Sequence, residues 1–321
     1  MRFVMIDVSL LAGGDLCVVG NINRDIKTAA IWPGAYLFED GETSTSTITE
    51  TIGGGGAISA CTAAALGARS GFLGKVGDDP LGQRLGQVLR HRGVDTHLVL
   101  DPEVSTGTTV NLNYETGHRH FISALPNNRE LRASELDLSM LGRFNHLLRA
   151  DIWFSEPMLF GGNAELFEAA SAAGMSISID LNWDPAWARG MDENTQKRKR
   201  TVRDLLPLVT LAHGNSRELC LFTDAPDLDS ALQRLQEWGV GSVVVHLGRE
   251  GAGYYCEGQL TIEPPAPVLR PVQLTGTGDV LSVCMMLLHP HPDIAVRDRL
   301  RLANQIVAEF MEGKREFISN L

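Results

Sequence analysis

One carboxylate stands out by its position. Asp279 closes the run Thr275-Gly276-Thr277-Gly278-Asp279, and a nearly all-apolar stretch follows it. The spacing of Val280, Leu281, Val283, Cys284, Leu287 and Leu288 predicts a buried helix, which puts Asp279 in its first turn. The two glycines let several backbone N–H groups converge, and the helix adds its positive end, so the run reads as an anion hole. A carboxylate beside an anion hole repels the anion unless it has a task. Taking a proton from a hydroxyl that attacks a phosphate is one such task. The plainer reading, an Asp that only caps a helix, stays open at this point.

Three other Gly-rich stretches are candidates for holding phosphate: "GGGGA" (53–57), "GFLGKVGDD" (71–79) and "GREGAG" (248–253). The dinucleotide fingerprint G-x-G-x-x-G fails at all four places; after Gly276-Thr277-Gly278 the third position is Leu281. The P-loop pattern fails as well, because Gly74-Lys75 is followed by Val76. A dinucleotide oxidoreductase and a P-loop kinase both lose their main support.

The elements that must position these residues follow a strand-then-helix rhythm. "DLCVVGNI" (15–22), "MSISID" (175–180) and "SVVVHLG" (242–248) read as strands. "GGGGAISACTAAALG" (53–67), "PLGQRLGQVLRHRG" (80–93), "NAELFEAASAAG" (163–174) and "LDSALQRLQEWG" (228–239) read as helices that stop at glycine. The alternation predicts an α/β fold, with a mostly parallel sheet between helices and ligands at the carboxyl ends of its strands. Residues 25–52 and 104–123 break the rhythm with Thr-rich, period-2 segments. They predict a small β-sheet inserted from two places, a lid over those strand ends. Residues 1–14 read as a loosely attached leader to a domain over 15–321.

Composition narrows the partners. The 321 residues are 44% hydrophobic and 21% charged, as in ordinary soluble globular proteins. A formal charge of −11 argues against a nucleic-acid partner, whose phosphates need a basic surface. The five cysteines are scattered without a C-x-x-C pair, which points to buried thiols and a reducing, cytoplasmic compartment. No signal-peptide pattern and no run long enough to span a bilayer are present, so no membrane partner is expected. The basic run 197–200 reads as a solvated helix face, and His118-x-His120 and His289-x-His291 as turn histidines without a third metal ligand. Glu156 is read either as reaching the ligand site or as the partner of an arginine.

Taken together, these stretches resemble the PfkB family of carbohydrate kinases, the ribokinase-like fold, from about residue 15 to about residue 305. Its second signature is matched by Thr275–Asp279 and its first by "GGGGAISACTAAALGA"; "GNINRD" (20–25), "GKVGDDPLGQRLGQVLRHRGVDT" (74–96), "DLNWDPAW" (180–187) and "NSRE" (215–218) match further blocks in order. The resemblance implies a three-layer fold with a β-sheet lid, and an ATP-dependent phosphotransferase acting on a hydroxyl of a small sugar or sugar-like substrate. It implies Asp279 as the base and Gly276, Thr277 and Gly278 as donors to the transferring phosphoryl group. Asn23, Asp25, Gly53 and Gly54 would bind substrate. Asn215 and Glu218 would hold Mg²⁺ near the nucleotide, Gly248 and Gly251 would line its site, and Asn304 would lie near the adenine. Relatives pair into homodimers through the lid, which extends that expectation here.

Four departures bear on the substrate. Ile58 stands where many members have Asn, and His246 where Thr is common. Gln273 replaces an Asp that helps bind a monovalent cation, which puts K⁺ dependence in doubt. Asp184 replaces a common Arg, which argues against acidic sugars. Two alternatives stay beside the sugar kinase: a nucleoside kinase of the same fold, and a non-catalytic sugar or nucleotide sensor.

Overall fold

The computed structural model describes residues 8–321 apart from 191, 274 and 319. Thirteen strands divide between two sheets among these residues. Those of the large sheet are β1 (Asp15–Val19), β4 (Arg69–Gly77), β5 (Asp95–Asp101), β8 (His146–Arg149), β9 (Ser176–Asp180), β10 (Leu211–Asn215), β11 (Ser242–His246), β12 (Ala252–Cys256) and β13 (Gln259–Glu263). Those of the small sheet are β2 (Asn23–Thr28), β3 (Ile48–Gly53), β6 (Thr108–Asn113) and β7 (Arg119–Ala124). The helices are α1 (Ser9–Ala12), α2 (Gly55–Ala65), α3 (Pro80–His91), α4 (Pro126–Arg129), α5 (Asn163–Ala172), α6 (Glu193–Arg203), α7 (Ser216–Thr223), α8 (Leu228–Glu237), α9 (Thr277–Leu288) and α10 (Val296–Met311).

The large sheet runs β13-β12-β11-β10-β9-β8-β1-β4-β5. Its neighbours are parallel from β5 through to β11, and β12 and β13 add an antiparallel edge. Strands buried on both faces carry near-continuous apolar runs, as β1 does, while the equally buried β4 is interrupted by Lys75, which pairs with Asp101 and Glu135. One core lies on the face of α2, α9 and α10, where Val18, Leu148, Leu211 and Val244 meet Val280, Val283 and Leu287. The other lies on the face of α5 and α8, around Val19, Leu147, Ile179 and Val245. Helix α9 is buried from Val280 to Leu288, as its nearly unbroken apolar sequence demands.

The small sheet has the order β3-β2-β6-β7 and grows from the ends of β1 and α2. The chain after α10 returns to it, with the Leu321 N–H donating to the Glu50 carbonyl at 3.0 Å.

Two expectations need correction. The leader is packed where it is described: Leu11 is buried, and a Cβ on Gly14 would come 2.8 Å from Leu287 Cδ2. Residues 1–7 lie outside the described residues. The apolar Leu10–Leu11 pair explains this, since it covers the far end of α9. The basic run 197–200 is not all solvated, because Arg198 and Lys199 are buried and paired with Asp184 and Asp224. Helix α9 starts at Thr277, where Gly276 at φ +86° turns the chain into it, so Asp279 stands in the first turn as expected.

Candidate active site

A cavity of about 890 Å³ opens at the carboxyl ends of β1, β8, β9, β10 and β11, beneath the small sheet. Asp25, Asp151, Asp180, Glu218 and Asp279 all reach its wall, so five carboxylates share one concave space. Each has its pKa raised, and burial is the first cause in every case. Asp279 is pushed up to about 8, with the charges of Asp151, Asp25 and Glu218 adding to burial. A cavity with this much withheld negative charge is built to receive cations or protons.

Asp279 owes its place to close packing around the first turn of α9. A Cβ on Gly278 would come 3.0 Å from His246 Nδ1, and one on Gly276 would come 3.2 Å from Ile318 Cδ1. Gly276, Thr277 and Gly278, at the first turn of α9, line the cavity wall. Gly55 sits between the two central acids. A Cβ there would fall 2.9 Å from Asp151 Oδ1 and 3.2 Å from Asp279 Oδ1. Asp279 and Asp151 are therefore near neighbours across the N-terminus of α2.

One side of the cavity is set by the start of the small sheet. Asn23 Nδ2 donates to Asp25 Oδ1 at 2.8 Å. Gly53 must lack a side chain, since a Cβ would fall 2.1 Å from Asp25 Oδ1. Gly54 has φ +91° and its Cβ would meet the Asn21 carbonyl at 2.4 Å. Asn23, Asp25 and Gly54 line the cavity with Thr109 and Ser123 of the neighbouring strands.

On the opposite side Asn215 and Glu218 open α7 as a capping box. Glu218 Oε2 accepts from the Asn215 N–H at 2.9 Å, and Asn215 Oδ1 accepts from the Glu218 N–H at 3.0 Å. The pair is pre-oriented by its own helix cap, and both residues reach the cavity.

Gly248, Gly251 and Asn304 lie elsewhere, outside that wall. A Cβ on Gly251 would meet the Glu263 carbonyl at 2.2 Å, and Asn304 Nδ2 donates to the carbonyls of Glu263 and Pro264. These two residues brace the chain after β13. Asn304 was expected near a nucleotide's adenine; its amide hydrogens are spent on these backbone carbonyls. Asp184 is buried and held by Arg198, whose Nε donates to it at 2.8 Å. It belongs to a neighbouring cavity of about 730 Å³, as does Glu156, which pairs with Arg198 at 3.6 Å.

Sequence reasoning passed over Asp151, Asp180 and Asn182. Asp151 Oδ2 accepts from the N–H groups of Asn21 and Gly56, and its Oδ1 accepts from Asn182 Nδ2, so it ties three strand ends together. It does this from φ +54°, a backbone state that no sequence signal announced. Asp180 had a signal, as the last residue of a parallel strand.

A family profile described as "pfkB family carbohydrate kinase" matches residues 14–286. A fructokinase of Vibrio alginolyticus is 27% identical over 245 residues, which is 76% of this chain and 77% of that one. An aminoimidazole riboside kinase of Salmonella typhimurium is 27% identical over 231 residues, 71% of this chain and 70% of that one. The Arabidopsis thaliana ribokinase solved with ribose and ATP superposes with a TM-score of 0.72 at 20% identity, covering 95% of both chains. An Escherichia coli protein solved with ATP and Mg²⁺ superposes with a TM-score of 0.76 at 21% identity over 93% of each chain.

Proposed function

Because the chain belongs to the pfkB family of carbohydrate kinases it is a phosphotransferase, and we propose that it moves the γ-phosphoryl group of ATP to a hydroxyl of a small sugar or nucleoside. One observation carries the assignment of roles. Asp279, its pKa raised to about 8, stands in the first turn of α9 beside the amides that would receive the phosphoryl oxygens. A carboxylate with that proton affinity takes the acceptor's proton as the O–P bond forms. Asn23 and Asp25 orient the acceptor, and Gly53 and Gly54 let its ring approach the backbone. The amides of Gly276, Thr277 and Gly278 stabilise the charge that spreads over the transferring group.

Mg²⁺ suits the donors present, since a hard cation takes carboxylate and amide oxygens, and Asn215, Glu218 and Asp180 offer them on one wall. When bound it neutralises phosphate charge. Asn215, Glu218 and Asp180 would hold it or its waters, and its charge would lower the raised proton affinity of the two carboxylates. Gly248 and Gly251 shape the distal end of the nucleotide site, and Asn304 keeps the segment beside it in place. The protein works in the cytoplasm. It pairs through the outer face of the lid, where Ile48 and Ile122 are exposed side chains. Sedimentation should show a dimer that Ile122→Glu splits; a wild-type monomer would remove the pairing.

ADP formation with Mg²⁺, measured across a panel of sugars and nucleosides, tests the whole reading. Turnover that requires an acceptor supports the kinase. Saturable acceptor binding with no ADP from any member of the panel would support the sensor instead.

A further inference from the structure

The neighbouring cavity of about 730 Å³ is joined to the main one, because Arg129, Phe154 and Pro185 belong to the walls of both. Its size falls within the ~300–1,000 Å³ of small-molecule sites. Arg129 ends α4, which directly follows β7 of the small sheet. Near the end of β7, Ser123 is in register with Thr109, and Thr109 with Asp25. The passage between the cavities therefore starts on the side proposed for the acceptor.

A buried ion pair builds the polar wall of this second cavity. Arg198 is 5% exposed and Asp184 0%, and both line it. Arg198 Nε and Nη2 donate to Asp184 at 2.8 and 3.1 Å, and Nη2 also donates to the Trp153 carbonyl. Nη1 makes no hydrogen bond among the described residues, since Glu156 Oε1 stands 3.6 Å away, too far for one. A guanidinium fixed through two of its nitrogens offers the third as a pre-oriented donor. Glu130, Glu156 and Asp192 add acceptors to the wall, and Arg129 adds donors at the passage. Trp153, Phe154 and Phe160 supply ring surface. Phe160 is 38% exposed where the chain kinks at Phe160 and Gly161, and Lys197 Nζ packs over its ring at 4.6 Å.

We propose that the acceptor is a glycoside whose second, hydroxylated ring occupies this cavity while its first ring meets Asp279 in the main one. This rests on the kinase reading and narrows its acceptor from a single sugar to a disaccharide-like molecule. A hydroxyl both donates and accepts, so a polyhydroxylated ring matches a wall of fixed donors and carboxylate acceptors without bringing charge of its own. Arg198 Nη1 donates to one hydroxyl oxygen, and Glu156 accepts from another hydroxyl. The C–H face of the ring packs on the negative face of an aromatic side chain, Phe154 or Phe160. An anionic ring meets the wrong sign of charge in Glu130, Glu156 and Asp192. An apolar ring leaves Arg198 Nη1 covered and unsatisfied. A heteroaromatic base stacks on the rings but offers fewer donors to the three carboxylates.

Calorimetric titration of the nucleotide-free protein reads the second ring apart from turnover. Sucrose, maltose, cellobiose and lactose are compared with D-fructose, D-glucose and D-galactose, and adenosine and cytidine with D-ribose. At least one disaccharide should bind about ten or more times tighter than either of its component sugars. Asn194→Trp fills the cavity from an exposed position, and Phe160→Ala removes a ring from its wall. Each should bring that ratio close to one while leaving monosaccharide affinity and melting temperature near those of wild type. No gain from a second ring, or a gain that survives both variants, would overturn the proposal. A nucleoside preference over D-ribose larger than any disaccharide's gain would overturn it as well. Tight disaccharide binding without ADP formation would count against the kinase alone. ADP formation from monosaccharides, with no gain from a second ring, would count against the second cavity alone.

Discussion

Asp279→Asn keeps size and hydrogen-bond acceptor but removes proton affinity. It should lower kcat by about a hundredfold or more, the scale of a positioned acid–base group, with nucleotide affinity little changed. Steady-state kinetics within a few-fold of wild type would return Asp279 to a helix cap. In the free enzyme its carboxyl is raised to about 8, so kcat/KM should climb with pH and level off only near that value. A profile flat from pH 5 to 9 would exclude it as the base. Stability runs the other way. The folded protein holds this proton more tightly than the unfolded chain, whose value is 3.8, so the stabilisation is complete below about 4 and is lost as pH rises to about 8. Asp279→Asn should therefore gain more melting temperature over wild type at pH 8.5 than at pH 5, by a few degrees at most.

On the proposed reading, the small sheet closes as a lid and the loop before α9 holds still. Asn111 Nδ2 reaches Thr275 Oγ1 at 3.2 Å, one direct side-chain link between the lid and that loop. Acceptor binding should protect amides in residues 25–52 and 104–123 from hydrogen exchange more than it protects the core. Uniform protection, or none in these segments, would count against closure. The loop itself is braced by protein. Val272 and Gln273 N–H groups donate to the Met311 carbonyl, and Gln273 Nε2 donates to the Thr275 carbonyl at 3.3 Å. An amide already spent in this way lacks the charge that draws in a desolvated monovalent ion. Turnover should change by less than about threefold between K⁺-free and K⁺-containing buffer at constant ionic strength, a barrier difference of roughly 0.6 kcal/mol. Saturable tenfold activation by K⁺ would show that the brace is insufficient.

Across the whole molecule, a row of buried imidazoles sets the response to acid. Burial lowers His246 to about 4 and His146 to about 3, and it lowers His213 strongly as well. Unfolded histidine titrates near 6.5, so the unfolded chain takes up protons first as pH falls below that value. The stability these groups lend is intact above about 6.5 and drains away toward their folded values. The raised carboxylates act in the opposite sense, so a variant must isolate one group. His246→Gln keeps an acceptor for Ser282, which bonds His246 Nε2 at 2.8 Å. Between pH 7.5 and 5.5 wild type should lose about 1 kcal/mol more unfolding free energy than this variant. Parallel losses in urea titrations would show that His246 is not the source.

The strand-and-helix order, the glycine turns and the carboxylate opening α9 were legible because they depend on local physics. Period-2 and near-3.6-residue patterns report burial on one or two faces, and Gly53, Gly54 and Gly276 stand where a side chain would clash or strain the chain. The capping box of Asn215 and Glu218 is likewise a three-residue spacing that any reader of the sequence can see. The backbone contacts of Gly251 and Asn304 were not legible, because a spacing does not say which carbonyl an amide will meet. Asp151 and the buried guanidinium of Arg198 carried no local signal at all. What they do depends on which strand ends lie side by side, on how deeply one face of α6 is buried, and on which charges come within reach of one another. Burial and through-space distance join residues more than a hundred positions apart, as Asp151 joins Asn21, and only the tertiary structure decides them.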